Sequence, residues 1–117
     1  MSVLSSLLDK VKKNEATVCI LGLGRVGLPL VTIFATSGLR SIGIENNNTI
    51  LGELKKSKCP FYDPSLQENL TEATQSDNLI IKTEFSESDN IDIFFVTVGT
   101  PTNSDNTTDY SQLYGAL

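Results

Sequence analysis

A short apolar run, Val18 to Leu21, leads straight into Gly22-Leu23-Gly24-Arg25-Val26-Gly27, and an apolar, helix-like segment follows at once. That order demands a strand, a tight backbone turn and a helix in immediate succession. Gly22 permits the turn at the strand end. Gly24 has no side chain, so backbone can approach a pyrophosphate closely, and Gly27 lets the new helix pack against the strand. The free N–H groups and positive end of that helix then face phosphates. Glycines at this spacing also serve as plain turn residues in other α/β proteins. Context favours the ligand site, because Glu45 ends the next strand-like run roughly 20 residues on, where a ribose-binding carboxylate belongs. A dinucleotide site is expected over Gly22, Leu23, Gly24, Arg25, Val26, Gly27 and Glu45.

The remaining chain alternates strand and helix around this turn. Residues 2 to 13 space Val3, Leu4, Leu7, Leu8 and Val11 along one helical stripe, with Lys10, Lys12 and Lys13 near the C-terminal end. Such a helix either docks on a partner or membrane surface, or covers part of this or a neighbouring subunit. Lysines there also suit the helix dipole without any lipid. Thr17 to Leu21 is the first strand, apolar on both faces as a central parallel strand should be. A helix follows from about Val26 to Ser37 and ends at Gly38; Pro29 is compatible only in its first turn, where a missing N–H costs nothing. Ser41 to Glu45 is the second strand, and Asn46 to Asn48 cap a short helix through Ile50, Leu51 and Leu54.

After an irregular, partly basic connection from Lys55 to Asp63, Asp63-Pro64 starts a helix with a capping carboxylate and a proline at its first position. Leu66, Leu70 and Ala73 give it a buried face. Leu79 to Thr83 is a third strand, Ser86 to Asn90 a short turn, and Ile91 to Val98 a fourth strand read as buried on both faces. Gly99-Thr100-Pro101-Thr102 breaks that strand, and Asp109 marks the cap of a further helix. The alternation predicts a Rossmann-type, doubly wound parallel sheet of about four strands in the order 3-2-1-4. Residues 1–14 are expected to form the amphipathic helix and 15–117 a truncated dinucleotide-binding domain.

Composition narrows the function classes. A net charge of −5 argues against nucleic acid or an anionic membrane as partner, since both reward basic surfaces. No apolar run is long enough to span a bilayer, and the first residues lack a signal-peptide pattern, so a cytoplasmic chain is expected. The sequence has no histidine, which removes a Ser-His-Asp triad and histidine metal ligands, and no metal site is expected. Cys19 lies within a buried strand and reads as a small core residue. Cys59 lies in a loop beside Lys56 and Lys58, where nothing near it in sequence acts as a base. No catalytic residue is assigned.

In an open parallel sheet, ligands sit at the carboxyl ends of the strands, near the switch in strand order. The first strand end supplies the glycine turn, the second Glu45, and the fourth Gly99, Thr100 and Pro101, where a small residue leaves room beside a hydroxyl. Arg25, inside the turn, can reach toward a phosphate or point to solvent. Glu45 would lie where the 2′-phosphate of NADP must go, so NAD is the expected cofactor.

With these residues in hand, the chain resembles the N-terminal NAD-binding part of the UDP-glucose/GDP-mannose dehydrogenase family, the nucleotide-sugar 6-dehydrogenases that include UDP-N-acetylmannosamine dehydrogenases. LGLGRVGLPL at Leu21 to Leu30 is similar to the family's glycine turn, and PFYDPSLQENL at Pro60 to Leu70 to its proline-acid-proline helix start. FVTVGTPTN at Phe95 to Asn103 is similar to its fourth strand and loop, and TTDYSQL at Thr107 to Leu113 to the start of its next helix. The resemblance implies oxidation of the C6 alcohol of a nucleotide-linked sugar to a carboxylate, with two NAD. It also implies a role in polysaccharide biosynthesis, a nucleotide-sugar substrate and a homo-oligomer. By resemblance, Gly22 to Gly27, Glu45 and Gly99 to Pro101 contact NAD.

Two departures stand out. Arg25 replaces a usual aromatic residue, and Glu45 a usual aspartate, which keeps the chemistry but lengthens the reach. The family's cysteine nucleophile and its lysine, asparagine and acidic partners lie beyond the equivalent of Leu117, and neither Cys19 nor Cys59 matches it. The chain is therefore expected to be a cofactor domain that does not complete the reaction alone. A stand-alone NAD-sensing or adaptor module is the alternative.

Overall fold

The computed structural model describes residues 3–97. The elements in chain order are α1 (Val3–Lys12), β1 (Thr17–Leu21), α2 (Gly27–Thr36), β2 (Arg40–Ile44), α3 (Asn48–Lys55), α4 (Pro64–Gln75), β3 (Leu79–Lys82) and β4 (Ile93–Val96), with a 3-10 turn at Glu87–Asp89. The four strands are all parallel and lie in the order β3-β2-β1-β4. This is the sheet expected from the alternation of elements. Gly99, Thr100, Pro101 and the helix expected from Asp109 lie outside the described residues.

Side chains alternate across the sheet, and its two faces differ. Val18, Ile20, Ile81, Ile93 and Phe95 turn to one side, where Leu28 and Val31 of α2 and Leu66 and Leu70 of α4 complete the main core. Cys19, Leu21 and Ile42 turn to the other, against Ile44, Ile80 and Ile91. β1 is buried along its whole length, as its unbroken apolar run requires.

Local chemistry sets the helix ends. Pro29 is the third residue of α2, within the turn whose N–H groups have no intrahelical partner, and its carbonyl accepts from Thr32 Oγ1 (2.8 Å). Ser37 caps α2 and Gly38 reverses the chain at φ +103°, a backbone glycine adopts freely. Asp63 Oδ1 accepts from Leu66 N (3.0 Å) with Pro64 at the first helical position, a cap contributing about 1 kcal/mol. Leu66, Leu70 and Ala73 are the buried residues of α4, as their spacing predicts.

Two expectations need adjusting. The stripe on α1 is mostly solvent-facing: Val3, Leu4 and Leu8 are exposed, and Val11 reaches the core. Lys10 Nζ fastens the helix to Asp92 (2.9 Å). β4 begins at Ile93 rather than Ile91 and is not buried on both faces, since Phe94 is 46% and Val96 42% exposed. The connection from β3 to β4 crosses that face as one 3-10 turn rather than a helix, leaving the area beside Phe94 half open. Before Ile93, the Asp92 carboxylate takes the place of a ladder carbonyl: Thr17 N donates to Asp92 Oδ2 (2.9 Å).

The same crossover buries Asp89. Its carboxylate accepts from Lys82 Nζ (2.6 Å) and Ser86 N (2.8 Å), and Arg40 Nη1 donates to its carbonyl (2.9 Å). The Lys82 bond, then the Ser86 N–H, hold Asp89 below the ordinary aspartate value of 3.8. Asp92 is also held below it, by the Thr17 N–H against the opposing effect of burial, and then by Lys10. A folded value below the unfolded one gives stabilisation that is complete above pH 3.8 and is lost as pH falls through the folded values. The thermal midpoint is therefore expected to hold from neutral pH down to that region and to fall below it. Asp92→Asn should lower the midpoint at neutral pH and shrink the acid-dependent loss. An identical acid profile in the parent, Asp92→Asn and Asp89→Asn would contradict this account.

Candidate functional site

The glycine turn is pinned from both neighbouring strands. On the β2 side, Gly22 N donates to Ile44 O (2.8 Å), and Gly22 itself sits at φ +95°. On the β4 side, Thr97 N donates to Leu21 O (2.8 Å), and the Thr97 hydroxyl bonds Gly22 O (2.6 Å) and Leu21 O (3.1 Å). Leu23 is fully buried over Gly43, where a Cβ would stand 2.8 Å from a Leu23 methyl. Glycine inside β2 is thus a socket for the turn's one inward side chain.

Glu45 lies immediately after β2, as expected, and its carboxylate is already at work within the fold. Oε1 accepts from Leu23 N (2.9 Å), and Oε2 from Asn46 N (3.0 Å) and Asn47 N (2.9 Å). A carboxylate offers about four acceptor positions, so about one is left for a ligand hydroxyl. Asn47 then caps α3 through Thr49 N and Ile50 N.

The fold makes different demands on the three glycines of the turn. A Cβ on Gly27 would lie 1.8 Å from Gly22 O and 2.5 Å from Thr97 Oγ1, so only glycine lets α2 start against the end of β1. Gly22 needs its positive φ. Gly24 is under neither demand: its φ lies outside the left-handed region, and a Cβ there would meet none of the described residues within 4 Å. Among the described residues, the N–H groups of Gly24, Arg25 and Val26 make no hydrogen bond. The open side of the turn is a concave strip of backbone donors at the start of a helix, suited to an anion.

Val26 is exposed, and Arg25 neither points free into solvent nor bonds within the turn. Its guanidinium lies over the Phe61 ring, 4.7 Å from the centroid. Phe61 also lines an open cavity of about 550 Å³ with Cys59, Pro60, Tyr62, Asp63, Pro64 and Gln67. Cys19 is a core thiol whose value burial pushes up to about 11, with Asp89 adding to the rise, so it is not a nucleophile at neutral pH.

Local sequence pattern assigns no individual role to Thr97, Gly43 or Phe61. A glycine inside a strand run signals close backbone approach, so Gly43 was discoverable. Thr97 and Phe61 act on residues distant in the chain, where local pattern is silent.

The chain matches the model of the NAD binding domain of the UDP-glucose/GDP-mannose dehydrogenase family over residues 16–117. It is 33% identical over 99 residues to the UDP-N-acetyl-D-mannosamine dehydrogenase of Methanococcus aeolicus, covering 84% of this chain and 22% of that protein. Among solved structures it is similar to the UDP-glucose dehydrogenase of Pyrobaculum islandicum (TM-score 0.77, 33% identity, 86% of this chain and 24% of that one). It is also similar to the UDP-N-acetyl-mannosamine dehydrogenase of S. aureus (TM-score 0.79, 29% identity, 86% and 24%). The chain thus spans less than a quarter of the length of each of these proteins.

Proposed function

Since the chain belongs to the UDP-glucose/GDP-mannose dehydrogenase family and carries its NAD-binding domain, we propose that it holds the cofactor for a nucleotide-sugar 6-dehydrogenase. In this reading residues 15–117 form the dinucleotide domain and residues 1–14 an accessory helix. When bound, NAD would supply the hydride acceptor, and two NAD and one water would be needed to take the C6 alcohol of a UDP- or GDP-sugar to the carboxylate in two steps. This chain's residues bind and orient the cofactor. Gly24, Arg25 and Val26 present backbone N–H groups to the diphosphate, Leu23 anchors the turn beneath them through Glu45, Gly22 and Gly27 shape the turn, and Glu45 receives a ribose hydroxyl. Gly99, Thr100 and Pro101 belong to the same proposal. A homo-oligomer fits this reading, supported by the half-open face at Phe94 and Val96.

Gly24 carries the argument. Neither its backbone angle nor any neighbour among the described residues requires glycine, which supports a constraint that a ligand imposes from outside. Glu45 sets the choice of cofactor. A 2′-phosphate about 4 Å from its carboxylate would be repelled by roughly 4 kcal/mol at an intermediate dielectric. Calorimetric titration is expected to show NAD binding and NADP at least tenfold weaker. Equal or tighter NADP binding would defeat the role given to Glu45. Among the described residues neither cysteine side chain is bonded to an acid or base that would serve thiol chemistry, so residues 1–117 are expected to bind NAD without reducing it in the presence of a nucleotide sugar.

A further inference from the structure

Arg25 sits between Gly24 and Gly27, exposed, with its guanidinium over Phe61. Among the described residues it has no carboxylate partner and donates no hydrogen bond, unlike Lys10, Lys13, Arg40 and Lys82, each of which is paired. Stacking occupies the flat face of a guanidinium and leaves its in-plane N–H edge free to form a fork. The platform beneath is itself fixed. Phe61 packs on the main core, and Gln67 ties its loop twice, accepting from Cys59 N and donating to Ser57 O (2.8 Å each). Asp63, the acid nearest in that loop, is engaged in capping α4. A cation is therefore held over a fixed ring, without a carboxylate partner among the described residues, beside the unpaired N–H groups of Gly24, Arg25 and Val26.

Resting on the NAD reading above, we propose that Arg25, steadied by Phe61, is a binding and selectivity residue for the diphosphate of the dinucleotide. The guanidinium donates to a diphosphate oxygen, and the ring keeps it from sweeping through solvent, so little side-chain freedom is lost on binding. The dependence on charge should appear as sensitivity to salt, and the dependence on diphosphate as indifference to adenosine.

The test is calorimetric titration of the full 117-residue chain with NAD, ADP, UDP and adenosine, at low and high salt. Arg25→Met should weaken NAD and ADP about tenfold at low salt, leave adenosine unchanged and flatten the salt dependence. Phe61→Leu, which keeps bulk but removes the ring, should weaken NAD roughly two- to fivefold and add nothing once Arg25 is gone. Unchanged affinity and salt slope in Arg25→Met, equal loss for adenosine, or additive single effects would each overturn the proposal. An Arg25 effect on UDP alone would also overturn it, placing the contact on a nucleotide-sugar diphosphate. If the parent chain binds neither NAD nor ADP, it is the cofactor reading itself that fails.

Discussion

Gly27→Ala is expected to leave the domain largely unfolded under conditions where the parent chain is folded. The added methyl would stand 1.8 Å from a backbone carbonyl, Gly22 O, and 2.5 Å from Thr97 Oγ1. No rotamer change relieves a clash with backbone, so α2 would have to lift off the end of β1, opening the junction under Leu28 and Val31. Overpacking ordinarily costs about 1–3 kcal/mol, and a contact this close belongs at or beyond the upper end. Gly24→Ala is the matched control, because its methyl enters open space. Its stability should stay within about 0.5 kcal/mol of the parent, while NAD binding is lost. Urea denaturation of both variants, with and without NAD, separates the two. Equal stabilities would mean the turn is far more pliant than its packing indicates, and full NAD affinity in Gly24→Ala would remove the main support for the cofactor site.

Glu45→Ala should damage both the fold and the site. Three backbone N–H groups would lose their acceptor at once, among them the part-buried Leu23 N that sets the shape of the turn. Hydrogen bonds to a charged group contribute roughly 1.5–3 kcal/mol each, but Asn46 N and Asn47 N can turn to water, so a total near 2–3 kcal/mol is expected. NAD should then stabilise the variant hardly at all, because ligand stabilisation follows the ratio of free ligand to Kd. Glu45→Asp makes the account sharper. It keeps the charge but falls one methylene short of Leu23 N, so a loss of about 1 kcal/mol is expected, with NADP still rejected. Denaturation midpoints at several NAD concentrations measure both effects. An alanine variant as stable as the parent and equally responsive to NAD would show that the carboxylate serves neither purpose.

How far the sequence discloses this molecule depends on the range of each interaction. The alternation of strands and helices, the Asp63-Pro64 helix start and the buried face at Leu66, Leu70 and Ala73 follow from periodicity and capping, which are local, and the strand order from the fold class that the alternation implies. The same holds for the glycine turn and for the carboxylate at the end of β2. What the turn is fastened to is not local. The Thr97 hydroxyl reaches Gly22 O, and Gly43 makes room for Leu23, only because β4 and β2 flank β1 in space. Arg25 is the clearest case. Sequence offers it a phosphate or solvent, whereas the structure lays it on a ring from the loop before α4. The exposed side of β4 escaped for a related reason: a continuous apolar run looks the same whether its far face is covered by a helix or by a single 3-10 turn.

Because the turn is anchored on either side by Glu45 and Thr97, its conformational entropy is given up during folding and not during binding. A ligand arriving there finds donors already aimed and has no loop to organise. Intrinsic affinity should then be insulated from damage elsewhere in the sheet. A core substitution that halves the folded population halves the number of competent molecules, and the apparent Kd only doubles. Such a domain loses its ligand by ceasing to exist, and seldom by gradually loosening its grip.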